Sequence, residues 1–218
     1  LEGAKEVKMF PAPYKDEGTF RFNQDLLDNC EDNVNLYGYF QSEKYFKHIA
    51  NDIRKDFEWR DDVKKLCQEM FDSVGGKAIS LHVRRTDHLI KPTYHNVLPL
   101  SYYEEALSKI DNDFGVKVGH VGEDGPIPVL IFSDDPKWCK EQEFFSDDRF
   151  FVSESGDNIT DMCLMSMCNY HIMANSTFSW WGAWLSGSEK VIGPKMWFGP
   201  DGADPTDIFL DRWEYLDV

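Results

Sequence analysis

The chain has 218 residues, of which 42% are hydrophobic and 28% charged, and its formal net charge is −16 at pH 7. Such a length and apolar content support one generous domain with a sizeable core, and they exclude a disordered or fibrous chain. The negative mean field repels polyanions, so general nucleic-acid binding is excluded, while a local basic pocket remains compatible with the composition.

Cysteine usage and hydropathy narrow the class of protein further. The five cysteines are scattered and form no C-x-x-C pair. Their odd number and spacing favour buried free thiols in a reducing compartment over a disulfide framework or a zinc site. No apolar run approaches the ~18 residues that span a bilayer, and no signal-like start is visible, so no transmembrane segment is predicted.

Residues 1–74 are predicted to form an N-terminal region distinct from the rest of the chain. The stretch before about Asp28 is polar without a clear period, and a short strand is predicted at Asn35–Gln41. Apolar residues at helical spacing predict helices at Tyr45–Phe57 and Asp61–Phe71, and Gly75 with Gly76 ends the second one.

Residues 75–218 are predicted to form a second domain in which strands and helices alternate. Strands are predicted at residues 78–83, 128–132, 149–152, 170–173 and, as the final one, 190–192. Helices are predicted at residues 101–110, directly after an N-cap at Ser133, at 158–168 and at 177–185. Alternation of this kind implies parallel strands with crossover helices, hence an α/β, Rossmann-like fold. The segment from Phe114 to Pro128 is predicted to be a surface loop.

Ligands of such sheets bind beyond the carboxyl ends of the strands, where the sequence places two adjacent arginines, Arg84 and Arg85. Guanidinium groups at the end of a buried strand are costly unless an anion meets them, and a diphosphate matches their fork geometry. The alternative is a purely structural pair with Asp87. We expect one arginine to pair with Asp87 and to orient the other, and we favour anion binding for the two together.

Two acidic residues, Asp134 and Asp135, follow the next predicted strand. They fit a helix start and a contact to a base or ribose equally well. A metal site at these two residues is a weaker interpretation. The same is true of the acids in residues 111–113, which are typical of a solvated turn.

A hydroxyl-rich turn follows the strand at 170–173 and leads into a helix, with the sequence Asn175-Ser176-Thr177-Phe178-Ser179. Free N–H groups at the helix start, together with three hydroxyls, form a cradle suited to a phosphate. The alternative is a plain N-cap by Ser176 or Thr177.

Five ordered motifs resemble the α-1,2-fucosyltransferase family, of the glycosyltransferase family 11 type. Parts of them are similar to α-1,6- and protein O-fucosyltransferases as well. The motifs are YGYFQSEKYF at 37–46, HVRRTD at 82–87, H-x-V-L-P-x-x-Y-Y at 95–103, FSDD at 132–135, and D-x-x-L-M-S at 161–166 followed by ANSTFSWWGAWL at 174–185.

The resemblance implies a GT-B-like enzyme whose Rossmann-like domain holds GDP-fucose and transfers L-fucose, with inversion, to a glycan hydroxyl, the 2-OH of a galactoside. It implies no metal and no other cofactor. By the same resemblance Arg84 binds the β-phosphate, and Arg84, Arg85 and Asp87 are the catalytic set. The donor contacts it implies are His82 and Asp161 near the guanosine, Asp134 and Asp135, and Asn175, Ser176, Thr177, Phe178 and Ser179. By their position in the sequence Asp87, His88 and His95 are candidates for a general base, but a structural role is favoured for each, and an oxocarbenium-like transition state needs little help from a base.

One departure from the family bears on the acceptor side. The glycine-rich G-G-x-G-N-Q opening of the family is absent here, so we expect a partial or reduced N-terminal domain, with donor binding retained and transfer weak relative to hydrolysis. The alternatives are a transferase for another GDP-sugar and a non-catalytic nucleotide-sugar or glycan-binding module. A methyltransferase is disfavoured because no glycine-rich loop follows the first strand.

The expected partners are GDP-fucose and a glycan acceptor. The expected location is cytoplasmic, with possible peripheral attachment to a membrane, or the Golgi lumen if the chain is a fragment of a eukaryotic enzyme. No oligomeric state is predicted.

Overall fold

The computed structural model describes residues 14–16, 20–113 and 126–218. The chain folds as a small unit, Leu1–Ala50 with Ala203–Leu210, and a large unit, Asn51–Gly202 with Asp211–Val218. The two-domain division after residue 74 stays a prediction, although residues 51–74 belong to the large unit.

The small unit contains little regular structure. Strand β1 (Tyr14–Asp16) pairs in parallel with β2 (Asn35–Tyr37), and helix α1 (Gln24–Asn29) lies between them in the chain. The predicted strand at 35–41 is therefore confirmed for its first three residues. The predicted helix at 45–57 begins instead as two 3₁₀ turns, Glu43–Tyr45 and Lys47–Ile49, and is α-helical only in α2 (Ala50–Asp56).

A buried carboxylate, that of Asp207, joins the separate segments of the small unit. It accepts hydrogen bonds from Arg21 Nε at 2.7 Å and from the Phe22 backbone N–H at 2.9 Å, and it pairs with Lys44. Burial raises the pKa of Asp207, but hydrogen bonds from Arg21 and Lys44 outweigh it and lower the pKa to about 2.

The large unit is built on a sheet of six parallel strands. They are β3 (Ile79–Val83), β4 (Val129–Ser133), β5 (Phe150–Val152), β6 (Tyr170–Ile172), β7 (Val191–Pro194) and β8 (Glu214–Leu216). Their spatial order is β5-β4-β3-β6-β7-β8. The order reverses between β3 and β6, which is the doubly wound topology with its ligand crevice at that switch point. The Rossmann-like prediction is confirmed, with one strand more than predicted, β8.

Six helices accompany this sheet in the described part of the large unit after α2. They are α3 (Asp61–Ser73), α4 (Thr86–Ile90), α5 (Leu100–Asp113), α6 (Pro136–Glu141), α7 (Asn158–Met167) and α8 (Thr177–Ser186). Helices α5, α7 and α8 match predicted helices, α3 matches the predicted helix at 61–71, and the five-residue α4 was not predicted.

Alternation of side chains along the strands divides the core into two layers. Ile79, Leu81 and Val83 of β3 pack with α5 on one face of the sheet. Ala78 and Phe132 pack with α3 and α7 on the other face. Because successive residues of a strand point to opposite faces, β4 supplies Val129 and Ile131 to one layer and Phe132 to the other, and all five residues of β3 are buried.

The helix after β4 begins differently from the prediction. Asp135, not Ser133, caps α6, since its Oδ1 accepts the Trp138 N–H at 3.1 Å. Ser133 Oγ instead accepts the N–H of Asp135 at 2.9 Å, and Pro136 occupies the first turn as predicted.

Two further sequence expectations concern cysteines and acids. Four of the five cysteines are buried free thiols, as predicted, whereas Cys30 is exposed. Asp111 is not a solvated turn residue, because it lies in α5 and binds the buried Arg149 through two hydrogen bonds of 2.9 and 3.0 Å. No helix among the described residues is long and apolar enough to cross a membrane.

Candidate functional site

The chain leaves β3 at the switch point, and a carboxylate from the neighbouring strand fixes the turn that follows. β3 and β4 are in register, with Val83 opposite Ser133, so the residues after both strands meet at one edge of the sheet. Asp134 accepts the backbone N–H groups of Arg85 at 2.9 Å and Thr86 at 3.0 Å, and also the Thr86 hydroxyl. Burial raises the pKa of Asp134, but these hydrogen bonds outweigh it and the net pKa is lowered.

Arg84 is held by one nitrogen and presents the rest of its guanidinium. Its Nε donates to Asp87 at 2.8 Å and lies 3.4 Å from an Asp134 oxygen. Its side chain is 34% exposed, and its two terminal nitrogens bond to no other residue that the structure describes. The fork that matches phosphate oxygens is therefore available to a ligand. The hydrogen bond from Arg84 lowers the pKa of Asp87, which stays ionised.

Arg85 has a less exposed side chain than Arg84, and its guanidinium packs against an aromatic ring. Its guanidinium lies 3.8 Å from the ring centroid of Trp138, and its Nε is 3.5 Å from an Asp135 oxygen. Only 17% of its side chain is exposed. The expected pair with Asp87 is thus formed by Arg84, and Arg85 is oriented by Trp138 and Asp135 instead of by its neighbour.

The hydroxyl-rich turn after β6 forms the start of α8. Ser176 is the N-cap, and its Oγ accepts the Phe178 N–H at 3.3 Å. The buried Ser179 hydroxyl lies within hydrogen-bond distance of the Ala174 and Ser176 carbonyl oxygens, at 3.3 and 3.1 Å. Thr177, at the first helical position, forms no side-chain hydrogen bond with any described residue. Ser179 donates its hydroxyl to a carbonyl, whereas Ser176 only accepts and Thr177 has no described partner, so the last two can still donate to a ligand together with N–H groups of the first turn.

Asn175 connects the loops beyond three strands. Its Nδ2 donates to the carbonyl oxygens of Asn96 and Trp197, both at 2.9 Å. Carbonyl oxygens only accept, so the amide orientation is determined, and the buried Oδ1 is left without a partner in the described structure. Asn175 therefore holds together the loops at this edge of the sheet, and its Oδ1 can still accept a hydrogen bond.

The residues assigned to the nucleoside are His82, near the end of β3, and Asp161, in the first turn of α7. His82 is buried with its ring 5.6 Å from that of Phe178, and its Nδ1 has no partner among the described residues. Burial lowers the pKa of His82 to about 3, so the ring is neutral. The carboxylate of Asp161 accepts the hydroxyls of Ser153 at 2.6 Å and Ser155 at 2.7 Å.

The candidate bases differ in accessibility. His88 is buried, and its Nδ1 lies 3.2 Å from the Asn96 carbonyl oxygen, so that nitrogen carries the proton. Burial lowers the pKa of His88. The ring of His95 stacks on that of His88, with centroids 4.6 Å apart and planes 3° from parallel, and it is partly exposed.

Sequence reasoning named the arginines and acids of this edge but missed residues that hold them. Trp138 supports Arg85, and the Asn96 carbonyl joins His88 to Asn175. No local sequence pattern predicts that a particular backbone carbonyl oxygen will bond to side chains from two different loops. Trp138, three residues after an acidic pair at a helix start, carried a weak signal. No group of three or more His, Cys, Asp or Glu side chains among the described residues is arranged to hold a metal ion.

Residues 22–217 match the sequence profile of the family described as Glycosyl transferase family 11. Among curated proteins, the chain is 34% identical over 206 residues to the O-antigen biosynthesis glycosyltransferase WbnK of Escherichia coli, covering 87% of this chain and 64% of that protein. It is 29% identical to an alpha-1,2-colitosyltransferase of Escherichia coli, covering 88% and 66%. It is 25% identical to the human galactoside alpha-(1,2)-fucosyltransferase 1, covering 88% and 54%.

The chain thus spans between about half and two thirds of the length of these relatives. Among solved structures, NodZ alpha-1,6-fucosyltransferase soaked with GDP-fucose aligns with a TM-score of 0.49 and 15% identity. That alignment covers 79% of this chain and 58% of the NodZ chain.

Proposed function

We propose that this chain, which belongs to glycosyl transferase family 11, binds GDP-fucose at the switch point of its sheet and transfers L-fucose to a galactoside 2-OH. The observation that carries the proposal is Arg84, whose phosphate-matching fork is unused while Asp87 and Asp134 hold its Nε. The names of two relatives, a galactoside alpha-(1,2)-fucosyltransferase and an alpha-1,2-colitosyltransferase, support the acceptor hydroxyl and linkage.

In the proposed reaction the acceptor oxygen attacks the anomeric carbon of fucose on the side opposite GDP. The bond between that carbon and the β-phosphate oxygen breaks, so configuration inverts and negative charge grows on the phosphate. The guanidinium fork of Arg84 and the N–H groups at the start of α8 stabilise that charge, which is the role a metal plays in many nucleotide-sugar enzymes. The acceptor proton leaves to a base or to water.

The remaining residues serve this geometry in different ways. Asp87 acts through Arg84, since a carboxylate with a lowered pKa is a weak base and a good anchor for a guanidinium. Asp134 sets the turn that carries both arginines. His82, neutral and with an unpartnered nitrogen, and Asp161 are assigned to the guanosine, whereas Thr177 is assigned to the diphosphate.

A second donor is favoured by one specific observation, the 29% identity to a protein named as a colitosyltransferase. GDP-colitose and GDP-mannose as competitors of labelled GDP-fucose decide between these sugars. Transfer to a panel of galactosides separates an enzyme from a non-catalytic module, and release of free fucose measures hydrolysis.

Calorimetry of GDP binding in EDTA tests the proposed donor site. We expect binding without divalent metal, and we expect Arg84→Ala to weaken it at least about tenfold, since a charge-assisted bidentate contact is lost. Arg60→Ala is the matched control, because Arg60 is 79% exposed and also pairs with an aspartate. Binding that appears only after manganese or magnesium is added would contradict the metal-free site.

A further inference from the structure

An aromatic wall stands beside the arginine loop and has no part in the proposed donor binding. It consists of Tyr94, His95 and Phe198, all partly exposed, with the buried His88 behind His95. The ring centroids of Tyr94 and His95 are 4.8 Å apart, those of Tyr94 and Phe198 5.6 Å, and those of His95 and Phe198 6.3 Å. The rings therefore form one continuous surface.

The wall lies at the same edge of the sheet as the proposed donor site. His88 belongs to α4, which follows β3, and Phe198 follows β7, so both sides of the wall leave the carboxyl ends of strands. Arg84 precedes His88 by four positions in the chain, between the end of β3 and α4. A group bound on the wall is accordingly at the same edge of the sheet as the side chain that we assign to the β-phosphate.

Backbone contacts hold the two sides of the wall together. Gly199 N–H donates to the Tyr94 carbonyl at 2.8 Å, and Asp201 N–H donates to the Thr93 carbonyl at 3.0 Å. A Cβ atom on Gly199 would lie 2.4 Å from the Thr93 carbonyl oxygen, so a side chain at this position is incompatible with the contact. The Asn175 amide bonds to carbonyls on both sides, those of Asn96 and Trp197. The wall is therefore fixed in place before any ligand arrives.

The chemistry of the wall fits a sugar ring. The Tyr94 hydroxyl and the His95 ring nitrogens form no hydrogen bond with any described residue, so each ring offers an apolar face and a free polar edge. A hexose has the complementary pattern, with C–H groups on its face and hydroxyls on its rim. A flat apolar ligand would leave the polar edges unused.

We propose that Tyr94, His95 and Phe198 bind the galactose ring of the acceptor and place its attacking hydroxyl beside the donor site. The proposal rests on the proposed function, since it takes the acceptor to be a galactoside. It adds the subsite that receives that acceptor within the large unit.

Saturation-transfer NMR with methyl β-D-galactopyranoside, in the presence of GDP, tests the wall. We expect transfer to the galactoside C–H groups in the unchanged chain. We expect Tyr94→Ala and His95→Ala each to weaken galactoside binding about tenfold, the amount that loss of one well-placed contact gives. Tyr94→Phe keeps the ring and is expected to lose less than Tyr94→Ala. The GDP dissociation constant, measured by calorimetry, is expected to stay within about twofold in all of them.

Ile90→Ala is the matched control, because Ile90 is 78% exposed on the same helix as His88 and belongs to neither site. Gly199→Ala removes no ring but pushes the two sides of the wall apart, and it is expected to weaken galactoside binding with GDP binding retained. Absence of saturation transfer in the unchanged chain overturns the wall as an acceptor subsite. The wall is also overturned as an acceptor subsite if the ring variants lose as much affinity for GDP as they lose for the galactoside. Failure to bind GDP at all would contradict the donor site instead, and the galactoside titration without GDP still decides on the wall.

Discussion

Two arginines at opposite ends of the same sheet use their guanidinium groups in opposite ways. At the amino end, before β5, Arg149 gives both terminal nitrogens to Asp111 and donates to the Ile127 carbonyl at 3.3 Å. At the carboxyl end, after β3, Arg84 gives only Nε to Asp87, and its two terminal nitrogens bond to no residue that the structure describes. Their side chains are 9% and 34% exposed.

The difference separates a structural pair from the guanidinium that we propose to bind phosphate. A bidentate pair satisfies the fork of the guanidinium, so both terminal nitrogens of Arg149 are occupied, and only its buried Nε has no partner in the described structure. Arg84 is oriented through its stem nitrogen, and its fork keeps the geometry that phosphate requires. Substitutions at these arginines and at the groups around them test the contrast.

The largest effect is expected at the buried pair. Arg149→Ala leaves the Asp111 carboxylate without its partner in a site where it is 11% exposed, and breaking such a pair costs about 3–5 kcal/mol of unfolding free energy. Urea denaturation measures the loss. The double change Arg149→Met with Asp111→Leu is expected to recover much of it. A loss below about 1 kcal/mol would place the pair among surface ion pairs.

Arg84 and Arg85 are expected to differ in what they lose. Arg84→Ala should lower kcat by about a hundredfold or more, equivalent to roughly 2.7–4 kcal/mol of barrier, with the melting temperature unchanged. Arg85→Ala should lower kcat less but should lower the melting temperature, because its contact with Trp138 disappears. Steady-state kinetics and thermal melts measure both quantities. A larger fall in kcat for a folded Arg85→Ala would exchange the two assignments.

Asp134 is a structural carboxylate at the edge of the sheet where we propose that the donor binds. Its substitution therefore tests stability and binding at once. Asp134→Asn keeps the shape but accepts fewer hydrogen bonds from Arg85 and Thr86 and removes a charge near Arg84. We expect a loss of about 1 kcal/mol in stability together with weaker GDP binding. Urea denaturation and GDP calorimetry measure the two. If stability falls and GDP affinity does not, the turn tolerates the change without moving Arg84.

The smallest effect at neutral pH is expected at a second buried histidine, His171 in β6. Burial lowers the pKa of His171 to about 4, and its Nε2 has no partner in the described structure. A folded-state pKa below the unfolded value of about 6.5 gives stability that is present above pH 6.5 and lost as the pH falls towards 4. His171→Leu should reduce the pH dependence of the melting temperature in that window, while the acid sensitivity of His82, whose pKa is lowered further, to about 3, remains. An unchanged slope would show that the pKa of His171 does not differ between the folded and the unfolded chain.

Local chain chemistry was enough to predict the architecture. Strand–helix alternation indicated parallel strands, since crossover connections of that length leave no other pairing, and the residues after Val83, Phe132 and Met173 were correctly placed at one edge. The three-residue strand β8 was missed, because its sequence has no apolar run and it pairs only with β7.

The use of each polar group was decided by tertiary structure alone. The residues alone did not distinguish Arg84 from Arg85, and only the family resemblance assigned the β-phosphate to Arg84. In the structure the register of β3 with β4 puts Asp134 under their turn and Trp138 against Arg85 only. Asp111 and Arg149 are 38 positions apart in the chain, and they meet because α5 ends where β5 begins. Hydrophobic periodicity is a property of residues that are close in the chain, so it is visible in the sequence itself. The partner of a charged side chain depends on which segments the sheet brings together, and that is set only when all the strands are in place.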